Sequence, residues 1–353
     1  MIRTRFLAAL LPVALTACGG GGGGGDNSAQ TPMAPPPTAR APQTNVPAPT
    51  YVAGSGRLVM FQALNDVRDA LGVGLLAQDA ALDTAAQAHA EYLQANRIVG
   101  HDEASANAGY YADTPLARAR KAGAPDTEWI GEVAAAQGAG VDVAADARGC
   151  FDQWYSTVYH LQGVIDNAES VGVGFVPARN GWFSTCVLMF GTSTAVPPGP
   201  QANSTPYAGG QQMATHAIVT IPRAGEVAVQ PGFNAGGEQP NPAPDLSAPG
   251  RPLMVYVNGA NGEVLTVSSF RLFDGTGAEV PTRALVSEAA KPGSMGSAVA
   301  DPNGQYLRRN AVFLLPLAPL KSGATYTVSF AGARAGTPLS TSWSFTTVAA
   351  PVP

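Results

Sequence analysis

The pattern of apolar residues changes at a stretch rich in proline and glycine near the middle of the chain. Before Thr192 apolar residues recur with a helical period, whereas after Tyr207 short alternating runs are separated by turn residues. A chain of 353 residues, 45% of them apolar, is long enough for two cores. We therefore expect two domains, 53–195 and 213–350, joined by a linker at 196–212.

The N-terminus indicates export. Arg3 and Arg5 precede the apolar run Phe6–Leu15, and small residues lead to Cys18. This arrangement is typical of a signal peptide, here residues 1–17, and is too short to span a bilayer. The ending Leu-Thr-Ala-Cys resembles a bacterial lipobox, which implies cleavage before Cys18 and lipidation of its thiol. An ordinary signal peptide that contains a cysteine is the alternative.

Residues 18–52 have the composition of a disordered tether. They are mostly Gly, Pro, Ser, Thr and Ala, and so bury too little apolar surface to fold. Together with Cys18 they predict a protein held at the bacterial cell envelope by a lipid. Gly19 rather than an acidic residue after the cysteine favours the outer membrane. The net charge of −5, without a basic stripe, makes nucleic acid a poor partner.

The two remaining cysteines, Cys150 and Cys186, form an even pair in an exported chain. This count predicts one disulfide, with two buried free thiols as the alternative. Closing a loop of this length stabilises the fold by about 3–4 kcal/mol in the chain-entropy model.

Local patterns in the first domain predict helices and one hairpin. The predicted helices run from Gly56 to Gly72, from Asp79 to Asn96, from Pro115 to Ala122 and from Asp142 to Tyr159. Asn180-Gly181 lies between the apolar runs 171–176 and 182–190, which is the signature of a β-hairpin. Helices followed by a hairpin indicate an α+β fold with an antiparallel sheet.

The second domain is predicted to be all β. Short alternating runs lie at 215–221, 226–229, 253–257, 265–273, 311–315, 325–330 and 341–347. The last runs, which begin at Leu320 and Trp343, resemble the final strands of a bacterial immunoglobulin-like domain. That resemblance implies an immunoglobulin-like β-sandwich over 213–350.

The first domain resembles the CAP superfamily, which includes cysteine-rich secretory proteins, venom allergens and plant pathogenesis-related proteins, in its bacterial SCP-like form. The matching residues are Leu64-Asn65, Arg68, Gly72, Leu82, Ala88-His89-Ala90, Gly100-His101, Arg118, Ala122-Gly123, Gly131-Glu132, Trp154, His160 and Val171-Gly172-Val173-Gly174. The resemblance implies a three-layer α-β-α sandwich with a central cleft.

The resemblance also implies a site. In many family members the cleft holds two histidines and two acidic residues, and a divalent metal, often zinc, can bind. His101, Glu132 and His160 match the first histidine, the first glutamate and the second histidine. The second glutamate would fall at Thr157, a secondary cleft candidate that instead fits the bacterial Ser-x-x-His pattern. Two imidazoles and one carboxylate suit Zn²⁺, with a position left for water.

Other interpretations of these residues stay open. His101 and His160 can equally be hydrogen-bonded structural residues of a polar cleft. His89, on a helix among alanines, is expected to be packed or on the surface, and His216 to be structural. Ser156 lies four residues before His160, but no Gly-x-Ser-x-Gly elbow supports a serine hydrolase.

Three functions compete on this reading. The first is a binding module whose cleft captures a small hydrophobic or sterol-like molecule or a peptide. The second is a metal-assisted hydrolase of peptides or esters, in which Glu132 or a histidine activates water. The third is an interaction role, with the immunoglobulin-like domain docked on an envelope protein. The missing second acidic residue disfavours the enzyme, and the tether with its added β-domain favours binding.

Overall fold

The computed structural model describes residues 40–196, 199–200, 209–260, 262–304 and 306–350. The signal peptide, Cys18 and most of the expected tether lie outside the described residues. The described residues belong to one compact unit. None of the helices in this part of the chain is long and apolar enough to cross a membrane.

Among the described residues, the first part of the chain, 40–196, contains five helices and a four-stranded sheet. The helices are α1 (Gly56–Leu71), α2 (Ala80–Asn96), α3 (Pro115–Lys121), α4 (Val143–Tyr155) and α5 (Tyr159–Ile165). The strands are β1 (Ala77–Gln78), β2 (Trp129–Gln137), β3 (Ser170–Val176) and β4 (Ser184–Thr192), in the order β1-β3-β4-β2. The β1–β3 pair is parallel and the other two pairs are antiparallel. The sequence patterns did not predict β2.

Capping side chains explain where the first helices begin and end. Ser55 caps α1, and Gly72 closes it in the left-handed region at φ 65°. Asp79 caps α2 by accepting from the amide of Leu82. Thr114 caps α3 in the same way. The sequence placed these three helices close to their observed positions.

The predicted helix over 142–159 is present as α4 but ends earlier than expected, because α4 and α5 are separate helices with a break at Ser156. Ser156 and Thr157 turn their hydroxyls back onto carbonyls of α4. The amides of the next three residues are hydrogen-bonded to the carboxylate of Glu238 rather than to α4. A helix whose following amides bind elsewhere cannot continue.

The predicted hairpin is present as β3 and β4. Asn180 and Gly181 both have positive φ, 51° and 72°, as a tight two-residue hairpin turn requires. Helix α2 packs closely on this hairpin, because a Cβ at Gly172 would lie 2.0 Å from the backbone of Leu82. Glycine is needed here for that close approach.

The sheet lies between two layers of helices. Cys186, Leu188 and Phe190 of β4 belong to the core that contains α1 and α4, whereas Val187 and Met189 belong to the core formed with α2 and α3. The disulfide is confirmed: it joins Cys150 of α4 to Cys186 of β4, with 6.3 Å between the Cα atoms.

In the second part of the chain, the described residues of 209–350 form two sheets. Its strands are β5 (Ile218–Ile221), β6 (Leu253–Val257), β7 (Leu265–Phe273), β8 (Thr282–Val286), β9 (Val299–Ala300), β10 (Ala311–Pro316), β11 (Thr325–Arg334) and β12 (Thr337–Thr346). The sheet orders are β5-β6-β10-β8-β9 and β12-β11-β7, and one core contains residues of both. No strand forms at 226–229, where Val229 makes only an isolated bridge to Thr347. Strands β8 and β9 were not predicted.

The five-stranded sheet is buried on both faces. Val255 and Val312 face the other sheet of the second part, while Tyr256 and Phe313 belong to the same core as α1 and α4. Alternating side chains of a strand point to opposite faces, so one sheet serves both cores. The two parts of the chain therefore share a core.

Segments assigned to the tether and the linker are also packed against the fold. Gln211 donates from Nε2 to the carbonyls of Ala168 and Leu75, at 2.6 and 2.8 Å. The amide of Gln43 donates to Gln211 Oε1 at 2.6 Å. The folded region therefore includes residues 40–52 and 209–212, because their amide groups satisfy backbone carbonyls of the first part.

Candidate functional site

A cavity of about 500 Å³ lies where β2 and α5 meet loops of the second part. Residues of both parts line it, among them His101, Glu132, Tyr159, His160, Tyr306 and Arg308. An adjoining cavity of about 330 Å³ shares His101 and His160 and includes Thr157. The three main site residues expected from the sequence thus line one cavity, and the secondary candidate lines its neighbour.

Glu132 on β2 is held by two donors. Its Oε1 accepts from Nδ1 of His101 at 2.9 Å, and its Oε2 accepts from Arg118 at 2.7 Å. Arg118, on α3, is fully buried and also donates to the carbonyl of His101 at 2.8 Å. Both carboxylate oxygens of Glu132 are therefore engaged by the protein.

The charges around Glu132 favour its ionised form. Burial alone raises the pKa of this carboxyl, but the hydrogen bond from His101 and the charges of His89 and Arg118 lower it to about 2. For His101, burial lowers the pKa, while the hydrogen bond to Glu132 and the charge of Glu132 outweigh it and raise the pKa overall. The two residues therefore favour an ion pair.

A buried histidine supports the loop that carries His101. Nδ1 of His89 lies 2.8 Å from Glu103 Oε1, and its Nε2 lies 2.9 Å from the carbonyl of Gly100. Glu103 also accepts from the amide of Tyr111 at 2.6 Å. His89 is thus packed, which is one of the two environments expected for it, the other being the surface. It holds the backbone beside the site.

His160 pairs with a carboxylate from the second part of the chain. Oε1 of Glu238 lies 2.9 Å from Nδ1 of His160 and accepts from the amides of Tyr159 and His160, at 2.7 and 3.0 Å. Its Oε2 accepts from the amide of Val158 at 2.9 Å. Glu238 is fully buried. Its carboxylate is hydrogen-bonded to four N–H groups at the start of α5.

A second loop of the C-terminal part holds the side of α5. The hydroxyl of Tyr159 is hydrogen-bonded to Asp301 and accepts from Asn303 at 2.7 Å. The amide of Arg308 donates to the side chain of Gln162 at 2.8 Å, and the ring of Tyr306 stacks obliquely on Tyr159. The helix that carries His160 is therefore fixed by two separate loops of the second part.

The hydroxyls near His160 are engaged with the backbone. Thr157 is buried and donates to the carbonyl of Trp154 at 2.8 Å. Ser156 donates to the carbonyl of Asp152. Neither hydroxyl is paired with a base, as an activated nucleophile would be. His216 is exposed and lines neither cavity.

The described residues do not fit a three-ligand metal site. Among them, no group of three or more His, Cys, Asp or Glu side chains is arranged to hold a metal ion. Glu132, the expected carboxylate ligand, already binds His101 and Arg118. His101, Glu132 and His160 are therefore not arranged as a site for zinc or another divalent metal.

Sequence reasoning missed several residues of the site. Arg118 belongs to the family pattern, but its charge was given no role at the site. Glu103 lies two residues after His101, a local signal that could have been used. Glu238 has no such signal, because it lies 78 residues from its partner His160 and in the other part of the chain.

A comparison with protein families agrees with the family resemblance of the first part of the chain. Residues 61–190 match the family model described as CAP, the cysteine-rich secretory protein family. A similar solved structure is the 1.5 Å crystal structure of an extracellular protein containing an SCP domain from Bacillus anthracis str. Ames, at 19% identity and a TM-score of 0.30. The match covers 38% of this chain and 39% of that chain. A comparison with curated proteins returned no match. The stretch that carries His101, Glu132 and His160 is thus matched, over residues 61–190, as a CAP domain.

Proposed function

We propose that this protein is an exported binding module whose cavity captures a small ligand with a hydrogen-bonding group and an apolar body. A volume of about 500 Å³ is in the usual range for small-molecule sites. The lining supplies apolar surface from Trp129 and Phe190 and polar atoms from His101 and His160. Such a mixture favours an amphipathic ligand.

The observation that carries the proposal is that both carboxylates beside the histidines are already engaged. Glu132 accepts from His101 and Arg118, and Glu238 accepts from four N–H groups. A general base needs an oxygen free to take a proton from water. This engagement disfavours Glu132 as the base that activates water in a hydrolase. In the part of the chain that the structure describes, Nε2 of either ring has no hydrogen-bond partner, which leaves it for a ligand.

The location proposed for this module is the bacterial cell envelope. The lipobox-like ending at Cys18 and the apolar leader support export and lipid anchoring, with the outer membrane as the destination. We further propose that the C-terminal part is an immunoglobulin-like sandwich that can dock on an envelope protein. Its two sheets around one core support that reading.

A cavity-filling variant tests the proposal. Gln239 lines both cavities, so Gln239→Trp should obstruct them, whereas Val141→Trp places the same side chain at an exposed position outside both. Small molecules extracted from the exported proteins are identified by mass spectrometry. We expect a species that co-purifies with the wild type and with Val141→Trp but is depleted at least about tenfold in Gln239→Trp. Equal extracts from all three proteins would contradict the proposal.

A further inference from the structure

The segment that carries Glu238 belongs to the second part but is embedded in the first. Phe233, Ala235 and Ala243 lie in the core that also contains Phe151 and Leu161 of α4 and α5. This packing places the side chain of Glu238 at the beginning of α5 with no exposed surface. The position of the carboxylate is therefore fixed by apolar packing on both sides of it in the sequence.

Helix α5 depends on this carboxylate for its N-terminus. No side chain near Val158 caps the helix, and the amides of 158, 159 and 160 all donate to Glu238. Unpaired amides at a buried helix start are costly, and a carboxylate with two acceptor oxygens satisfies them. The cap that a local Ser, Thr, Asp or Asn usually provides comes here from a distant residue.

The same carboxylate determines which nitrogen of His160 faces the cavity. An ionised carboxylate can only accept, so Nδ1 of His160 must carry the proton in the 2.9 Å contact. In the neutral ring Nε2 is then a lone-pair acceptor. Because His160 lines both cavities, that lone pair is offered to whatever enters them.

We propose that Glu238 is the positioning residue of His160, so that the C-terminal part completes the binding site of the CAP domain. Glu238 sets the tautomer and the orientation of His160. This role of Glu238 rests on the proposed function only in taking His160 to meet the ligand. A ligand group that donates a hydrogen bond to Nε2 is the chemistry this arrangement selects.

The test is ring-nitrogen NMR on the full chain, which contains only four histidines. Spectra are recorded at increasing pH until the ring-nitrogen signals stop changing, and the tautomer is read from the neutral ring. In the wild type we expect His160 as the Nδ1–H tautomer. In Glu238→Ala we expect the proton to move to Nε2, the tautomer an imidazole prefers in water. His160→Gln assigns the signal.

A matched control separates this role from general support of the interface. Glu226 also joins the two parts, through the hydroxyl of Tyr155 at 3.1 Å, but does not touch His160. Glu226→Ala should leave the tautomer of His160 unchanged. An unchanged tautomer in Glu238→Ala, or the same tautomer shift in both variants, would overturn the proposal.

Amide hydrogen exchange gives a second readout. The amides of 158–160 should exchange at least about tenfold faster in Glu238→Ala than in the wild type, and unchanged exchange would contradict the cap. If Glu238→Ala does not fold, Glu238→Gln replaces it. Its single carbonyl oxygen can still accept from Nδ1, so only the amide of Val158 should exchange faster, and equal rates would again overturn the proposal.

These measurements use no ligand, so they are independent of the co-purification experiment. Should the tautomer move as expected while no molecule co-purifies, the binding function fails and the positioning role of Glu238 stands. If a molecule co-purifies while the tautomer does not move, the positioning role fails and the binding function stands.

Discussion

The two histidines of the cavity are oriented by carboxylates at the same distance but in different ways. His101 and Glu132 are 31 residues apart, both lie within 61–190, and the buried cation Arg118 compensates their carboxylate. His160 and Glu238 are 78 residues apart, and backbone amides at a helix start compensate the carboxylate. A buried carboxylate can thus be balanced by a full charge or by a set of N–H groups.

The difference matters because the two kinds of compensation fail differently. Removing a buried cation leaves neighbouring charges without a partner, which is among the costliest single changes in a protein. Removing a carboxylate from a ring of amides leaves neutral donors, each of which costs less.

The largest effect is expected at Arg118. Arg118→Met leaves Glu132 and Glu103 buried without their guanidinium, so we expect a loss of about 3–5 kcal/mol in the free energy of unfolding. Urea denaturation followed by tryptophan fluorescence measures it. The control is Arg148→Met, because Arg148 pairs with Asp152 on the surface of α4. That exposed pair should contribute no more than about 0.5 kcal/mol. Similar losses in both variants would show that Arg118 does not compensate Glu132.

The pH dependence of stability tests the charge of Glu132. Its pKa is about 2 in the folded protein and 4.5 ordinarily, so its contribution is present above pH 4.5 and lost as the pH falls towards 2. We expect a loss of up to about 3 kcal/mol over this range, from the conversion of pKa difference to free energy. Glu132→Gln should remove that part of the slope. An identical acid limb in wild type and variant would contradict the ion pair.

Glu128, immediately before β2, is a control because its pKa is shifted in the opposite direction from that of Glu132. Burial, with the negative charge of Asp79, raises its pKa to about 7. Its contribution is therefore fully present below pH 4.5 and is lost as the pH rises through 7. Glu128→Gln should be more stable than the wild type above pH 7 and similar to it near pH 4. A gain at acid pH instead would refute this assignment.

The sequence predicted the His101–Glu132 pair better than the His160–Glu238 pair, for a physical reason. Helix caps such as Ser55 and Asp79, the Asn180-Gly181 turn and the Cys150–Cys186 pair are recorded in local patterns or in residue counts. His101 and Glu132 also fall in the stretch that resembles a known family. The caps and the turn could be predicted because neighbouring residues determine them, the disulfide because the cysteine count is even, and the site because of the family resemblance.

Contacts made through the shared core leave no local pattern. Glu238 lies in a proline- and glycine-rich loop, where a buried carboxylate looks like any surface glutamate. The strands β6 and β10 were predicted, at 253–257 and 311–315, but their sequence did not show that both of their faces are buried. Only the packing of the two parts reveals that Glu238 meets His160.

A smaller effect is expected at Glu238. Glu238→Ala leaves the amides of 158–160 without acceptors next to a cavity that water can enter, so we expect a loss of about 2–3 kcal/mol. Glu226→Ala, which removes a partly exposed contact to Tyr155, should cost about 1 kcal/mol or less. Thermal unfolding at one pH compares the two. Equal losses would mean that the amide cluster gives no special stability.

The smallest effect is expected at Tyr159, where the second loop holds α5. Tyr159→Phe keeps the ring against Tyr306 but removes the hydroxyl that binds Asp301 and Asn303. We expect a loss of about 1–2 kcal/mol in unfolding free energy. Tyr110→Phe is the matched control, because its hydroxyl binds Asp113 at the surface and its loss should not be measurable.

Combining Tyr159→Phe with Glu238→Ala shows whether the two loops of the C-terminal part hold α5 together. Both contacts converge on the first turn of α5, so the two losses should not add. If the double variant loses less unfolding free energy than the sum of the two single variants, then removing one contact to the first turn of α5 already weakens the other contact. Strict additivity would instead show that each loop holds its own residue, and His160 would then depend on Glu238 alone.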